Sequence, residues 1–263
     1  MAILFAVAAC ASAKSGSGTD GGSNGSGADA PKGTPDGPNV NPPDANSCGK
    51  QPCSLAPQCG CSSGSACDLD PNNLATGGTV CTTAGNGGEA NTCTTDGDCK
   101  PGYTCVGSPA RCEKWCSGDG DCTSGPGAIC IINIVYGSPQ MNVPGATVCT
   151  TDCDPSASAP AGCPSTWGCH VYQEATGAMR YLTDCDPSGG VGAGGTCTSN
   201  ASCVPGEDCI TVTRGTTMSN ECHPSCICPS NNCAAGSCPS GTGSCMAFSP
   251  AVMIGTREYG TCL

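Results

Sequence analysis

Cys93-Thr-Thr-Asp-Gly-Asp-Cys99-Lys-Pro-Gly102-Tyr-Thr-Cys105, closed by Cys112, is the stretch on which the fold turns. It has a near twin in Cys197-Thr-Ser-Asn-Ala-Ser-Cys203-Val-Pro-Gly206-Glu-Asp-Cys209, closed by Cys222. Both run in one order: a first Cys, a polar gap, a Cys-x-x-Gly step, a third Cys, and a longer segment ending in a fourth. A third copy is Cys116, Cys122, Cys130 and Cys149, with Gly125 in the matching place. Looser copies are Cys153, Cys163, Cys169 and Cys185, then Cys226, Cys238, Cys245 and Cys262. The first unit is read as Cys59, Cys61, Cys67 and Cys81, with Cys53 able to take the place of Cys59. Gly falls three residues after the second Cys in five of the six copies, and the fourth copy has Gly168 beside Cys169 instead. Such a Gly suits a turn that needs positive φ.

The chain has 29 cysteines, and six units use 24 of them. Four more lie close in sequence, so local bridges Cys48–Cys53 and Cys228–Cys233 are expected. Only Cys10 is then left over, and an odd Cys in a secreted protein asks for an explanation. The joints are regular too. Three residues separate Cys112 from Cys116, Cys149 from Cys153, and Cys222 from Cys226. Eleven Gly-rich residues separate Cys81 from Cys93 and Cys185 from Cys197. The short joints are expected to dock neighbouring units and the long ones to hinge. The chain thus divides into residues 48–81, 93–185 and 197–263, holding one, three and two units. Four cysteines allow three pairings. First-to-third with second-to-fourth is favoured, because it ties the Cys-x-x-Gly loop to the base of the following segment; the other two stay open.

That following segment carries the strand signal. Ile210-Thr-Val-Thr-Arg214-Gly215-Thr-Thr-Met218 and His170-Val-Tyr-Gln-Glu-Ala-Thr-Gly177-Ala-Met-Arg-Tyr-Leu182 are apolar or β-branched on both sides of a Gly turn, as in a hairpin. Ile129 to Tyr136 is the most apolar stretch and reads as a strand. Helix signals are nearly absent. The predicted fold class is small, disulfide-rich, all-β and irregular: tandem cysteine-stapled β-hairpin units with little helix. Composition agrees. Of 263 residues, 40 are Gly, 22 Pro and 29 Cys, and aromatics make up 3%. Such a chain cannot build the large apolar core of an ordinary two-layer enzyme domain. Closing a loop of about 15 residues contributes about 3 kcal/mol, so cross-links outweigh the few Ile, Val and Tyr of each unit. A net charge of −12 makes a nucleic-acid partner unexpected.

Residues 2–9 are uncharged and mostly apolar, too short for a span but fitting a signal-peptide core. Val7-Ala8-Ala9-Cys10 resembles the lipobox of bacterial lipoproteins. The resemblance implies a signal peptide over residues 1–9, cleavage before Cys10, and acylation of the Cys10 thiol and new amine. Two or more acyl chains anchor stably where one is marginal. Ala11, where enterobacterial lipoproteins held at the inner membrane carry Asp, implies the outer membrane by analogy. One departure from that family is that no Lys or Arg precedes the apolar run. Residues 10–47, rich in Gly, Ser, Pro, Asp and Asn, bury too little surface to offset ordering and read as a lipid-anchored disordered tether.

The Cys93–Cys112 segment, with Thr-Thr-Asp-Gly-Asp before Cys99 and Pro-Gly-Tyr-Thr before Cys105, also resembles the N-terminal cysteine-rich module of Dickkopf proteins and colipase-like frameworks. Similar repeats occur in surface lipoproteins of myxobacterial type. The match is good for the second and fifth units and partial elsewhere. It implies a non-enzymatic, disulfide-rich extracellular binding module on the outer face of a bacterial outer membrane. The partners implied are membrane lipid at Cys10 and an extracellular protein or glycan. The interleaved pairing is consistent with colipase-like modules.

Few residues offer chemistry beyond the framework. Ten of the fifteen Asp fall in Asp-x-Asp pairs: Asp68/Asp70, Asp96/Asp98, Asp119/Asp121, Asp152/Asp154 and Asp184/Asp186. Paired carboxylates in a Gly or Pro turn can chelate calcium, and Asp96, Asp98, Asp119 and Asp121 are the candidate ligands. None has a distal bidentate Glu, and an Asp capping its own backbone explains the same pattern. No other cofactor is expected. Cys222-His223-Pro-Ser-Cys226-Ile-Cys228 has a zinc-like look, but its three-residue gap is the joint seen elsewhere without His. Gly60-Cys-Ser62-Ser-Gly64 and Gly190-Val-Gly192-Ala-Gly-Gly195 match nucleophile-elbow and dinucleotide patterns without the strands and helices those need. The only His are His170 and His223, neither in a triad context. The leading expectation is a lipid-anchored scaffold or adhesion module presenting hairpin tips. Val135/Tyr136, Tyr172/Tyr181 and Phe248 are contact candidates, with packing over the bridges as their alternative. A secreted hydrolase inhibitor or toxin-like effector is the second reading, and metal storage by reduced thiols the third.

Overall fold

The computed structural model describes residues 48–49, 52–157, 162–175 and 177–263. The signal peptide over 1–9, Cys10 and the tether over 10–47 lie outside the described residues. Twelve strands form six hairpins, one per unit: β1 (Ser65–Leu69) with β2 (Thr79–Thr83), β3 (Tyr103–Gly107) with β4 (Ala110–Cys116), β5 (Cys130–Tyr136) with β6 (Met141–Cys149), β7 (Trp167–Gln173) with β8 (Tyr181–Pro187), β9 (Glu207–Arg214) with β10 (Thr217–Cys228), and β11 (Cys245–Ile254) with β12 (Arg257–Cys262). Among the described residues the helical content is confined to short 3-10 turns.

Register explains the cysteine spacing. In every hairpin the third and fourth Cys stand directly opposite each other: Cys67/Cys81, Cys105/Cys112, Cys130/Cys149, Cys169/Cys185, Cys209/Cys222 and Cys245/Cys262. They are not bonded to each other. Each reaches back to the polar loop, the third Cys to the first and the fourth to the second. In the twin units the bridges are Cys93–Cys105 with Cys99–Cys112, and Cys197–Cys209 with Cys203–Cys222. The same interleaving holds in Cys116–Cys130 with Cys122–Cys149, in Cys153–Cys169 with Cys163–Cys185, and in Cys226–Cys245 with Cys238–Cys262. The polar loop is thereby clamped across the base of its own hairpin. Cys228 and Cys233 form the local bridge expected of them.

The first unit corrects the sequence reading. Its framework is Cys53–Cys67 with Cys61–Cys81, so Cys53 and not Cys59 is the first Cys. Cys48 pairs with Cys59, and the expected Cys48–Cys53 bridge does not form. The reason is geometric. Cys59 closes a tight turn in which Ser54 and Cys59 exchange backbone hydrogen bonds at 3.0 and 3.4 Å, leaving it no polar loop of its own before Cys61.

The joints differ as well. Two short joints are simply continued strand. β4 runs through Cys112 to Cys116 and pairs there with β6, and β10 runs through Cys222 to Cys228 and pairs with β12. This builds four-stranded sheets in the orders β3-β4-β6-β5 and β11-β12-β10-β9. The long joints, expected to hinge, are held instead. The Gly85 amide donates to the Cys99 carbonyl at 2.8 Å, and Gly189 to Cys203 at 2.7 Å. Each joint then runs as a parallel bridge beside its unit, Gly87 beside Cys99 and Val191 beside Cys203. Glycine is needed for this approach: a Cβ on Gly85 would lie 2.4 Å from the Asp98 carbonyl, and one on Gly189 2.3 Å from that of Ser202. Four of the five Cys-x-x-Gly glycines have the expected positive φ, Gly102 at 90° among them. Gly125 does not; a Cβ there would instead meet the Asp152 carboxylate at 1.9 Å.

Apolar packing is local. One cluster joins the first three units: Leu55, Trp115, Ile134, Val143, Ala146 and Val148 with Cys53 and Cys67. A smaller one, Val252, Ile254 and Tyr259, packs the last hairpin against Val171 and Tyr181 of β7 and β8. In two other clusters every buried member is a half-cystine, as in Cys226, Cys228, Cys233, Cys245 and Cys262.

Candidate binding surface

The Asp-x-Asp carboxylates are bound to backbone, in a way the polar loops explain. In the second unit Asp96 Oδ1 accepts the Cys105 amide at 3.0 Å, and in the third Asp119 Oδ1 accepts that of Cys130 at 2.9 Å. The second Asp of each pair turns the other way. Asp98 Oδ2 accepts the Thr94 and Thr95 amides at 2.8 and 3.0 Å, and Asp121 Oδ2 accepts that of Ser117 at 2.7 Å. These bonds hold Asp98 and Asp121 below the usual carboxylate range. The fifth unit does the same without charge: Asn200 Oδ1 accepts the Cys209 amide at 2.9 Å, and Ser202 Oγ that of Thr198 at 3.4 Å. The calcium candidates therefore cap the loop that two bridges clamp. The structure brings Asp96 and Asp98 onto different backbone segments.

Other polar side chains pin one unit to another. Asp68 Oδ1 accepts the Thr104 hydroxyl at 3.2 Å, joining the first hairpin to the second. Burial pushes this carboxyl up to about 7, and Asp96 nearby adds to the effect. Arg111 of β4 reaches into the fourth unit. Its guanidinium contacts Glu113, the Cys185 carbonyl and, at 2.7 Å, Asp184, and lies 5.0 Å over the Trp167 ring. Burial raises Glu113 to about 8 against the pull of Arg111, and raises Asp184 as well. Arg180, on the β7–β8 tip, pairs with Glu174 at 2.6 Å and with Asp119 of the third unit. His170 Nδ1 lies 2.9 Å from Asp208, which also accepts the Ser225 hydroxyl at 2.6 Å. His223 lies 2.9 Å from the Cys262 carbonyl and 3.2 Å from Glu221. Both His are buried parts of unit-to-unit contacts. Around His223, Cys222, Cys226 and Cys228 are all disulfide-bonded, so the zinc-like stretch presents no thiolate.

The expected contact side chains are mostly packed. Tyr136 lies against the Trp115 cluster, and Tyr181 and Phe248 against Val252. Val135 is half-buried, and the Tyr172 hydroxyl is bonded to Asp186. What the tips expose is methionine. Met141, Met179, Met218 and Met253 flank the turns of four hairpins, and Met218 is 62% exposed. Sequence reasoning passed over them, although each lies within a few residues of a turn glycine at positive φ: Gly137, Gly177, Gly215 or Gly255.

A cleft of about 340 Å³ opens between β5, an edge strand, and the β7–β8 hairpin. Ile131, Ile132, Val135 and Leu182 line it with Tyr172, and Asn133, Asn142, Glu174, Asp184 and Asp186 supply its polar atoms. No Lys or Arg contributes to the lining. Comparison of the chain with protein-family models, with curated proteins and with solved structures finds no match. Among the described residues no helix is long and apolar enough to cross a membrane.

Proposed function

We propose that the chain is a non-enzymatic display scaffold, anchored through acylated Cys10 to the outer face of a bacterial outer membrane, that presents hairpin tips and clefts to an extracellular partner. The observation carrying this reading is the double fastening of the hairpins. Two interleaved bridges clamp each one, twelve of the fourteen bridges in all, and buried polar pins join one hairpin to another. A scaffold fastened this way keeps its tips in fixed relation without a large core, and pre-organised contacts bind at lower entropic cost. Soft, adaptable methionines on four tips suit a contact surface. The lipobox-like Val7-Ala8-Ala9-Cys10 and the tether that follows give such a display its address.

The test is fractionation after metabolic labelling with a fatty acid. The wild-type chain is expected in the membrane fraction with label, and Cys10→Ser is expected unlabelled and in the soluble fraction. A soluble, unlabelled wild type rejects the anchor.

A further inference from the structure

The geometry points to the cleft between β5 and the β7–β8 hairpin as a seat for an alkyl-ammonium group, the side chain of a lysine on a partner protein. This deepens the display reading and rests on it for the partner, though not on the lipid anchor. Size argues first. About 340 Å³ sits at the small end of ligand sites, enough for one extended side chain. Shape argues next. Ile131, Ile132, Val135 and Leu182 offer an apolar wall for a methylene stem.

Charge sets the sign of the ligand. Arg111 is shared by Glu113 and Asp184, and Arg180 by Glu174 and Asp119. Asp186 accepts the Tyr172 hydroxyl and feels the charge of Arg111, but among the described residues it makes no direct ion pair. Two guanidinium groups thus stand against five carboxylates. Even with Glu113 protonated the surroundings stay negative, so a cation is drawn in and an anion excluded. A compact ammonium carries three N–H donors. Asp186 with the side-chain oxygens of Asn133 and Asn142 supplies acceptors of the matching kind along the same cleft.

The experiment is an amide chemical-shift titration of the full oxidised chain with three probes. These are Nα-acetyl-lysine N-methylamide, its norleucine counterpart, which keeps the stem and lacks the ammonium, and N-acetylglucosamine. The lysine probe is expected to give saturable shifts at Ile132, Leu182 and Asp186 with a Kd of about 1–10 mM, as so small a ligand allows. Norleucine is expected to bind about tenfold weaker or less. Asp186→Asn should lose the preference for lysine, and Asp186→Glu should keep it, with an unchanged disulfide map in both. Equal shifts from lysine and norleucine, an Asp186→Asn variant that still prefers lysine, or a cleft answering only to the sugar would each overturn the proposal. Shifts confined to the tip methionines also overturn it, while leaving the display reading in place. If no probe moves any amide the cleft assignment fails alone, because the labelling and fractionation that test the display reading do not depend on the cleft.

Discussion

The second and fifth units share one frame and keep different company. Their polar loops superimpose in hydrogen bonding as well as in cysteine spacing. Cys93 and Cys197 donate to Ala110 and Asn220, and Ala90 and Gly194 donate to the fourth Cys, at 3.2, 3.1, 3.0 and 2.8 Å. Around the second unit, however, Val106 and Trp115 pack into an apolar cluster shared with its neighbours, and Arg111 is buried between two carboxylates. Around the fifth, the cluster is Cys197, Cys203 and Cys222 with Cys209 and Val191, and the fastening besides the frame is the Asp208 carboxylate held by His170 and Ser225. The covalent frame is therefore sufficient to build the unit. What differs is how much else holds it once the frame is cut.

Cutting it is the strongest way to break the comparison. Cys203→Ser/Cys222→Ser removes the bridge that clamps β10, and Cys99→Ser/Cys112→Ser removes its twin. Losing a native bridge costs about 2–5 kcal/mol in small domains. The fifth unit is expected to lose amide protection over β9 and the adjoining part of β10. The second is expected to keep protection over β4, because Trp115 and Arg111 still fasten that strand. Hydrogen exchange read by mass spectrometry checks both. Equal loss in the two units would show that the neighbours contribute nothing.

The neighbours can be cut instead. Arg111→Met leaves Glu113 and Asp184 buried without their cation, and removing one partner of a buried pair costs about 3–5 kcal/mol. The loss is expected at the contact of the second and fourth units, with both sets of bridges intact. In the fifth unit Arg214 is 60% exposed where it pairs with the buried Glu221, which keeps the Ser219 hydroxyl and His223 as partners, so Arg214→Met is expected to lower the melting point much less than Arg111→Met. Thermal melts of the two variants, side by side, read the contrast directly.

This contrast also marks what the sequence could and could not tell. Cysteine spacing carried the six hairpins, because a residue facing its cross-strand partner and reaching back to a clamped loop needs fixed distances along the chain. The same rule held the correct first unit. Cys53 leaves a loop before Cys61 and Cys59 does not, yet spacing to the later cysteines alone could not choose between them. Gly85 and Gly189 misled for a physical reason. Glycine gives freedom in an unbonded chain, but here it gives room for two backbones to touch. The cleft was illegible. It exists because distant segments are drawn together, and Arg111 and Asp184 are 73 residues apart. No local period records such a contact.

A pH scan sharpens the comparison further, since the second unit leans on the first through Asp68. Its carboxyl titrates near 3.8 when unfolded and at about 7 when folded. Between those values the folded chain holds a proton that the unfolded chain has released. Stability from this group is complete at low pH and falls as pH rises toward 7, by at most about 1.4 kcal/mol per pH unit. Asp68→Asn removes the titration, so its stability relative to wild type should rise across that window. Denaturant midpoints from pH 4 to 7 measure it. A constant gap between the two proteins would place the Asp68 carboxyl in solvent.

The smallest effect is expected where the twins already differ in sequence. Asp96 and Asn200 hold equivalent places, and each accepts the amide of its third Cys, at 3.0 and 2.9 Å. Asp and Asn rank alike as backbone caps, so at pH 5, where Asp68 holds its proton and does not feel the Asp96 charge, Asp96→Asn should leave the melting point of the apo protein unchanged, whereas Asp96→Ala should cost about 1 kcal/mol. Adding calcium separates capping from chelation. If the carboxylate serves the backbone alone, wild type and Asp96→Asn melt together with or without millimolar calcium. If calcium raises the wild-type melting point and not that of Asp96→Asn, the charge in the second unit serves an ion as well. The twins would then differ in chemistry, not only in company.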